Sequence, residues 1–101
     1  MLYGAMNFPV KPILDELEAI SELGFDYLEL TMDPPQAHYS LIRQQKKRLL
    51  KALDRKQMKL VCHLPSFVYT ADLTHGLRKA SLNEVIKSLE VAAETPPPPP
   101  P

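Results

Sequence analysis

The spacing of hydrophobic positions along this chain changes period three times. Each time, a short apolar run is followed by a longer stretch with apolar residues at every third or fourth place. The first run, residues 2–6 (LYGAM), reads as a strand that stops before Asn7 and Pro9. After it, Ile13, Leu14, Leu17, Ile20 and Leu23 recur at helical spacing and form one face. Pro12 suits the first turn, Asp15 and Glu16 sit where the helix dipole favours carboxylates, and Gly24 is the stop. Residues 25–31 (FDYLELT) read as a second strand. MDPPQAHY is a loop, because paired prolines forbid regular structure. SLIRQQKKRLLKALDRK is a second helix, capped by Ser40, with Leu41, Ile42, Leu49, Leu50 and Leu53 on its inner side. MKLVCHL is a third strand and PSFVYTAD a loop. Residues 73–94 are a third helix with Leu82, Val85, Ile86, Leu89, Ala92 and Ala93 on its apolar face.

Strand and helix alternate three times, at roughly thirty-residue spacing. That order predicts an α/β fold of three consecutive βα units with right-handed crossovers and a parallel sheet. Residues 1–94 form the expected domain. Thr95 and the six prolines 96–101 form an extended or artefactual tail, since such a run can be neither helix nor central strand and favours polyproline conformation.

Composition narrows the function classes. The chain has 101 residues, enough for one small domain. Twelve basic and twelve acidic residues cancel, which argues against a dedicated nucleic-acid binder. Cys62 is the one cysteine, so no intrachain disulfide can form. No apolar run approaches a bilayer span, and the start lacks the basic and long apolar segments of a signal peptide. The expectation is a soluble cytoplasmic protein without a membrane partner.

Parallel α/β folds place their chemistry at the carboxyl ends of the strands. All three strands here end in polar groups: Asn7, then Glu29 and Thr31, then His63. His63 closes the run KLVCH and is followed by Pro65, which turns the chain outward. It is either a hydrogen-bonded core histidine or a ligand for metal or substrate. Glu29 has a structural and a substrate-facing reading in the same way. Asn7 and Asp33 fit turn positions. His38, His75, Tyr39 and Tyr69 lie in or near loops and are lesser candidates for a site. Cys62 reads as a small buried apolar residue. The cluster Arg43, Lys46, Lys47, Arg48, Lys51, Arg55 and Lys56 reads as a solvated outer helix face.

Two stretches carry a resemblance: GFDYLEL (residues 24–30) and HLPSFVYTADL with the helix that follows it (63–94). The chain resembles the N-terminal part of xylose isomerase-like TIM barrels, the sugar phosphate isomerase/epimerase and endonuclease IV superfamily. The resemblance implies a divalent-metal site (Zn, Mn, Co or Mg) at the barrel's carboxyl end and a small sugar or sugar-phosphate substrate. Asn7, Glu29 and His63 would then line the substrate pocket. In the endonuclease branch, which acts at abasic DNA, the residue matching His63 is a metal ligand. The family histidine is often followed by a small residue, proline and tyrosine, where this chain has Leu64, Pro65 and Ser66, and that leaves the branch open. A complete barrel has eight βα units. Three are expected here, so the chain is expected to be a fragment, inactive alone, and to self-associate through exposed sheet edges. A non-catalytic interaction module with a proline-tail ligand is the reading from a different class.

Overall fold

A computed structural model describes residues 1–96. The element order is β1 (Gly4–Met6), α1 (Ile13–Glu22), β2 (Tyr27–Thr31), α2 (Tyr39–Arg55), β3 (Lys59–His63) and α3 (His75–Ala93). The strands form one parallel sheet in the order β1-β2-β3. β2 pairs on both sides, with Met6 opposite Glu29 and Thr31 opposite His63. This is the architecture of three βα units in an open parallel sheet. The proline tail lies, from residue 97 onward, outside the described residues.

Side chains alternate along a strand, so each strand divides its residues between two faces. Leu28, Leu30 and Leu60 enter the core together with Ile13, Leu17 and Ile20 of α1 and Ile42, Leu49, Ala52 and Leu53 of α2. Ala5 and Cys62 pack against the same cluster. Met6, Tyr27, Glu29, Thr31, Val61 and His63 therefore share the opposite face. Among the described residues no helix covers that face, and Met6 stays exposed.

Several boundaries differ from the sequence expectation. The first strand begins at Gly4 rather than residue 2, and the second at Tyr27 rather than 25. Residues before them are engaged locally: the Tyr3 N–H donates to Asp26 Oδ2 at 2.8 Å. A Cβ at Gly4 would overlap the Tyr27 ring, so the strand's start has no room for a side chain. Gly24 takes φ +87°, the left-handed conformation that ends α1. The cap of α2 is His38, not Ser40, because the helix begins one residue earlier, at Tyr39.

The third helix departs furthest. It starts at His75 and buries Ser81, Ser88 and Val91, while Leu82, Ile86 and Leu89 stay about half exposed. Small residues face inward where α3 packs on α2, and the larger apolar stripe faces away. Val91 enters the core cluster, and polar ties flank it. Glu94, at the end of α3, accepts from Arg43 at 2.8 Å and from Lys46 at 3.0 Å on α2. Those cations hold the Glu94 carboxyl below its usual range, as Lys56 does for Glu18. Both ion pairs are in place above the ordinary carboxylate range and are lost as pH falls through the depressed values. Part of the basic cluster thus ties helices together, while Arg48, Lys51 and Arg55 are exposed. No helix among the described residues is long and apolar enough to cross a membrane.

Leu30 is fully buried at the centre of the sheet. Leu30→Ala is expected to cost about 2–5 kcal/mol, read from urea unfolding monitored by circular dichroism.

Candidate functional site

The three strands are parallel and in register, so their carboxyl ends come out on one side. Asn7 lies just past β1, Thr31 ends β2 and His63 ends β3. The Asn7 side chain does more than cap a turn. Its Oδ1 accepts the Thr31 backbone N–H at 2.7 Å, extending the β1–β2 ladder beyond the last paired residues. Thr31 in turn lies opposite His63, and the Met32 N–H donates to the His63 carbonyl at 2.9 Å. Three of the four strand-end polar residues named from sequence are therefore linked side by side. Glu29 stands one step back on the same face as Thr31, in register with Met6 and Val61, and is half-buried.

Hydrogen-bond accounting separates these residues. Asn7 is 2% exposed and Thr31 5%. Yet Asn7 Nδ2, Thr31 Oγ1 and His63 Nδ1 are buried polar atoms without a protein partner. Buried polar groups in folded proteins nearly always have a partner, be it protein, water or ligand. Three such atoms lie on adjoining strand ends; among the described residues the fourth is Ser88 Oγ on α3. Asn7 Nδ2 can only donate, whereas the hydroxyl and the neutral imidazole can each act in either sense. The set suits an oxygen that accepts from an amide and exchanges hydrogen bonds with its neighbours.

Asp33 carries more weight than its proline-flanked sequence suggests. It is 3% exposed, and its Oδ1 accepts the Ser66 N–H at 2.8 Å. Its carbonyl accepts the Ala37 N–H at 3.0 Å. One residue thus fastens the loop after β2 to the loop after β3 and fixes where the chain goes beyond His63. Sequence reading placed it as a turn residue and missed the cross-loop bond, which depends on Ser66 being brought near by sheet register.

The lesser candidates scatter. Tyr69 donates its backbone N–H to Ser81 Oγ at 2.8 Å and its ring is exposed. His75 Nδ1 lies 3.2 Å from the Arg78 guanidinium on the surface of α3. Cys62 faces the helices, where burial pushes its thiol up and leaves it protonated at neutral pH. His38 is tied to Ser40 and to Glu84 of α3 and shares no hydrogen bond with Asn7, Thr31 or His63 among the described residues.

The fit to a metal is incomplete. Among the described residues no group of three or more His, Cys, Asp or Glu side chains could hold an ion. His63 and Glu29 occupy different register levels and do not make a coordination sphere between them.

Residues 17–96 match the family described as xylose isomerase-like TIM barrel. No curated protein and no solved structure matches the chain.

The unpartnered Thr31 hydroxyl yields a stability prediction. Thr31→Val keeps the shape and removes the buried polar atom, so it is expected to raise stability by about 1 kcal/mol in urea unfolding. A loss of stability would mean that the hydroxyl is satisfied in solution.

Proposed function

This chain belongs to the xylose isomerase-like TIM-barrel family, and on that premise we propose that residues 1–94 are a (βα)3 portion of a sugar phosphate isomerase/epimerase-like barrel. The family is typically metal-dependent, and its members bind sugars or DNA. The observation that carries the sugar reading is the row of unpartnered buried polar atoms at Asn7, Thr31 and His63. Neutral donors and acceptors on a rigid sheet end suit the hydroxyl and carbonyl oxygens of a small sugar. Asn7, Glu29 and His63 are the substrate-facing residues in this reading.

Catalysis needs more than this chain brings together. Isomerisation by enolisation calls for a base within reach of a carbon-bound proton and a group that stabilises the enediolate oxygens. Glu29 is a carboxylate on the correct face for the first task. His63, as a neutral ring, can hydrogen-bond a substrate oxygen through Nδ1. A divalent metal held by ligands on further strands would supply the charge stabilisation that the described residues do not assemble. In this reading the chain alone binds a sugar and does not isomerise it. Its free edges at β1 and β3 are where further strands, including those of a second copy, add to the sheet.

The endonuclease-like alternative draws support from the histidine at the strand end, and the neutral overall charge weighs against it. Titration of the chain with D-fructose 6-phosphate, followed by amide chemical shifts, separates the two. Shifts are expected at Asn7, Thr31 and His63, lost in His63→Ala, with no conversion to D-glucose 6-phosphate. Absence of those shifts, or metal-dependent cleavage of an abasic duplex, would overturn the sugar reading.

A further inference from the structure

A second constellation stands apart from the strand-end group, at the junction of α2 and α3. His38 Nε2 lies 2.8 Å from Glu84 Oε2, and His38 Nδ1 lies 2.7 Å from Ser40 Oγ. When the ring is neutral, an ionised Glu84 carboxylate, which can only accept, puts the ring proton on Nε2. Nδ1 then offers its lone pair, and the Ser40 hydroxyl donates to it. The Ser40 backbone N–H, at 3.4 Å from the same nitrogen, is a second donor that agrees with this tautomer. The series is hydroxyl, imidazole base, orienting carboxylate, with both links at hydrogen-bond distance.

We propose that Ser40, His38 and Glu84 form a nucleophilic site that accepts an acyl group from a small ester. Ser40 is exposed, so an ester can reach its oxygen, while His38 and Glu84 are partly shielded. The Tyr39 ring, its centroid 4.2 Å from that of His38, walls one side of the imidazole. Ser40 sits in the first turn of α2, where the positive end of the helix dipole favours negative charge developing on the hydroxyl oxygen. The site lies at the start of a helix that follows a strand's carboxyl end, so it opens on the same end of the sheet as the strand-end group. It does not share a residue with that group.

The chemistry balances without a further cofactor. Ser40 Oγ attacks the ester carbonyl carbon as its proton passes to His38 Nδ1, and the carbonyl electron pair moves onto oxygen. The tetrahedral intermediate collapses, the bond to the alcohol oxygen breaks, and His38 returns the proton to the departing alcohol. Glu84 stabilises the imidazolium in between and keeps the ring oriented. Water, activated by the same nitrogen, then attacks the acyl-serine, releases a carboxylic acid and restores the hydroxyl.

The probe is p-nitrophenyl acetate, mixed with the intact chain at mildly alkaline pH. Nitrophenolate release is followed by absorbance, and the peptide carrying Ser40 is examined for one added acetyl group by mass spectrometry. Acetylation at Ser40 is expected, absent in Ser40→Ala and slowed about a hundredfold in His38→Gln. Glu84→Gln keeps a hydrogen-bonding side chain and is expected to slow it about tenfold, with the circular dichroism spectrum unchanged. Acetyl groups confined to lysines or to His38, or a Ser40 acetylation rate indifferent to Glu84→Gln, would overturn the proposal and leave the three residues as a cap and a helix tie.

Discussion

Pairing on both edges of β2 is the constraint from which the rest of this structure follows. β2 is the one strand with a neighbour on each side, and its Leu28 and Leu30 are fully buried under α1 and α2. A one-residue slip of register would turn those leucines out and bring Glu29 into an apolar core, at a cost no surface contact could offset. Register being settled in this way, Thr31 must stand opposite His63 and Met6 opposite Glu29. The position of every strand-end polar group is a consequence of where two leucines are buried.

The carboxyl end of the sheet combines firm anchoring with unused polarity. Asp33 ties the two loops through Ser66, and Asn7 extends the ladder through the Thr31 N–H. Those bonds hold the backbone, and they leave Asn7 Nδ2, Thr31 Oγ1 and His63 Nδ1 without partners. In the function proposed above, these remaining donors and acceptors are the ones a ligand would meet. Alongside it, α3 is held by polar ties: Glu94 to Arg43 and Lys46, and Glu84 to His38. α3 therefore joins the rest of the molecule through these ties and the buried Val91, whereas the sheet rests on buried apolar area.

The element order was legible because periodicity reports burial: the leucines of β2 and β3 and most of the α1 face are buried, although Leu23 is 76% exposed. Leu17, Leu30 and Leu60 are where alternation and helical spacing place them. The same logic misread α3, since Leu82, Ile86 and Leu89 look like an inward stripe but stay half exposed while Ser81 and Ser88 are buried. Spacing identifies an apolar face; it does not say which neighbour that face has. Polar strand ends were legible as a group through the general rule for parallel sheets, which brought Asn7, Thr31 and His63 into consideration. Their mutual contacts, the Asp33–Ser66 bond and the Ser40–His38–Glu84 series were not legible. Glu84 lies 46 residues from His38 in sequence, and only the packing of α3 on α2 brings them together.

Hydrogen exchange on the native chain tests most directly the claim that β2 organises the molecule. The account predicts that the amides of residues 28–31 are the slowest to exchange and open only with global unfolding, while those of residues 82–89 in α3 exchange faster through local opening. Equal protection of α3 and β2, or fast exchange at Leu28 and Leu30, would contradict it.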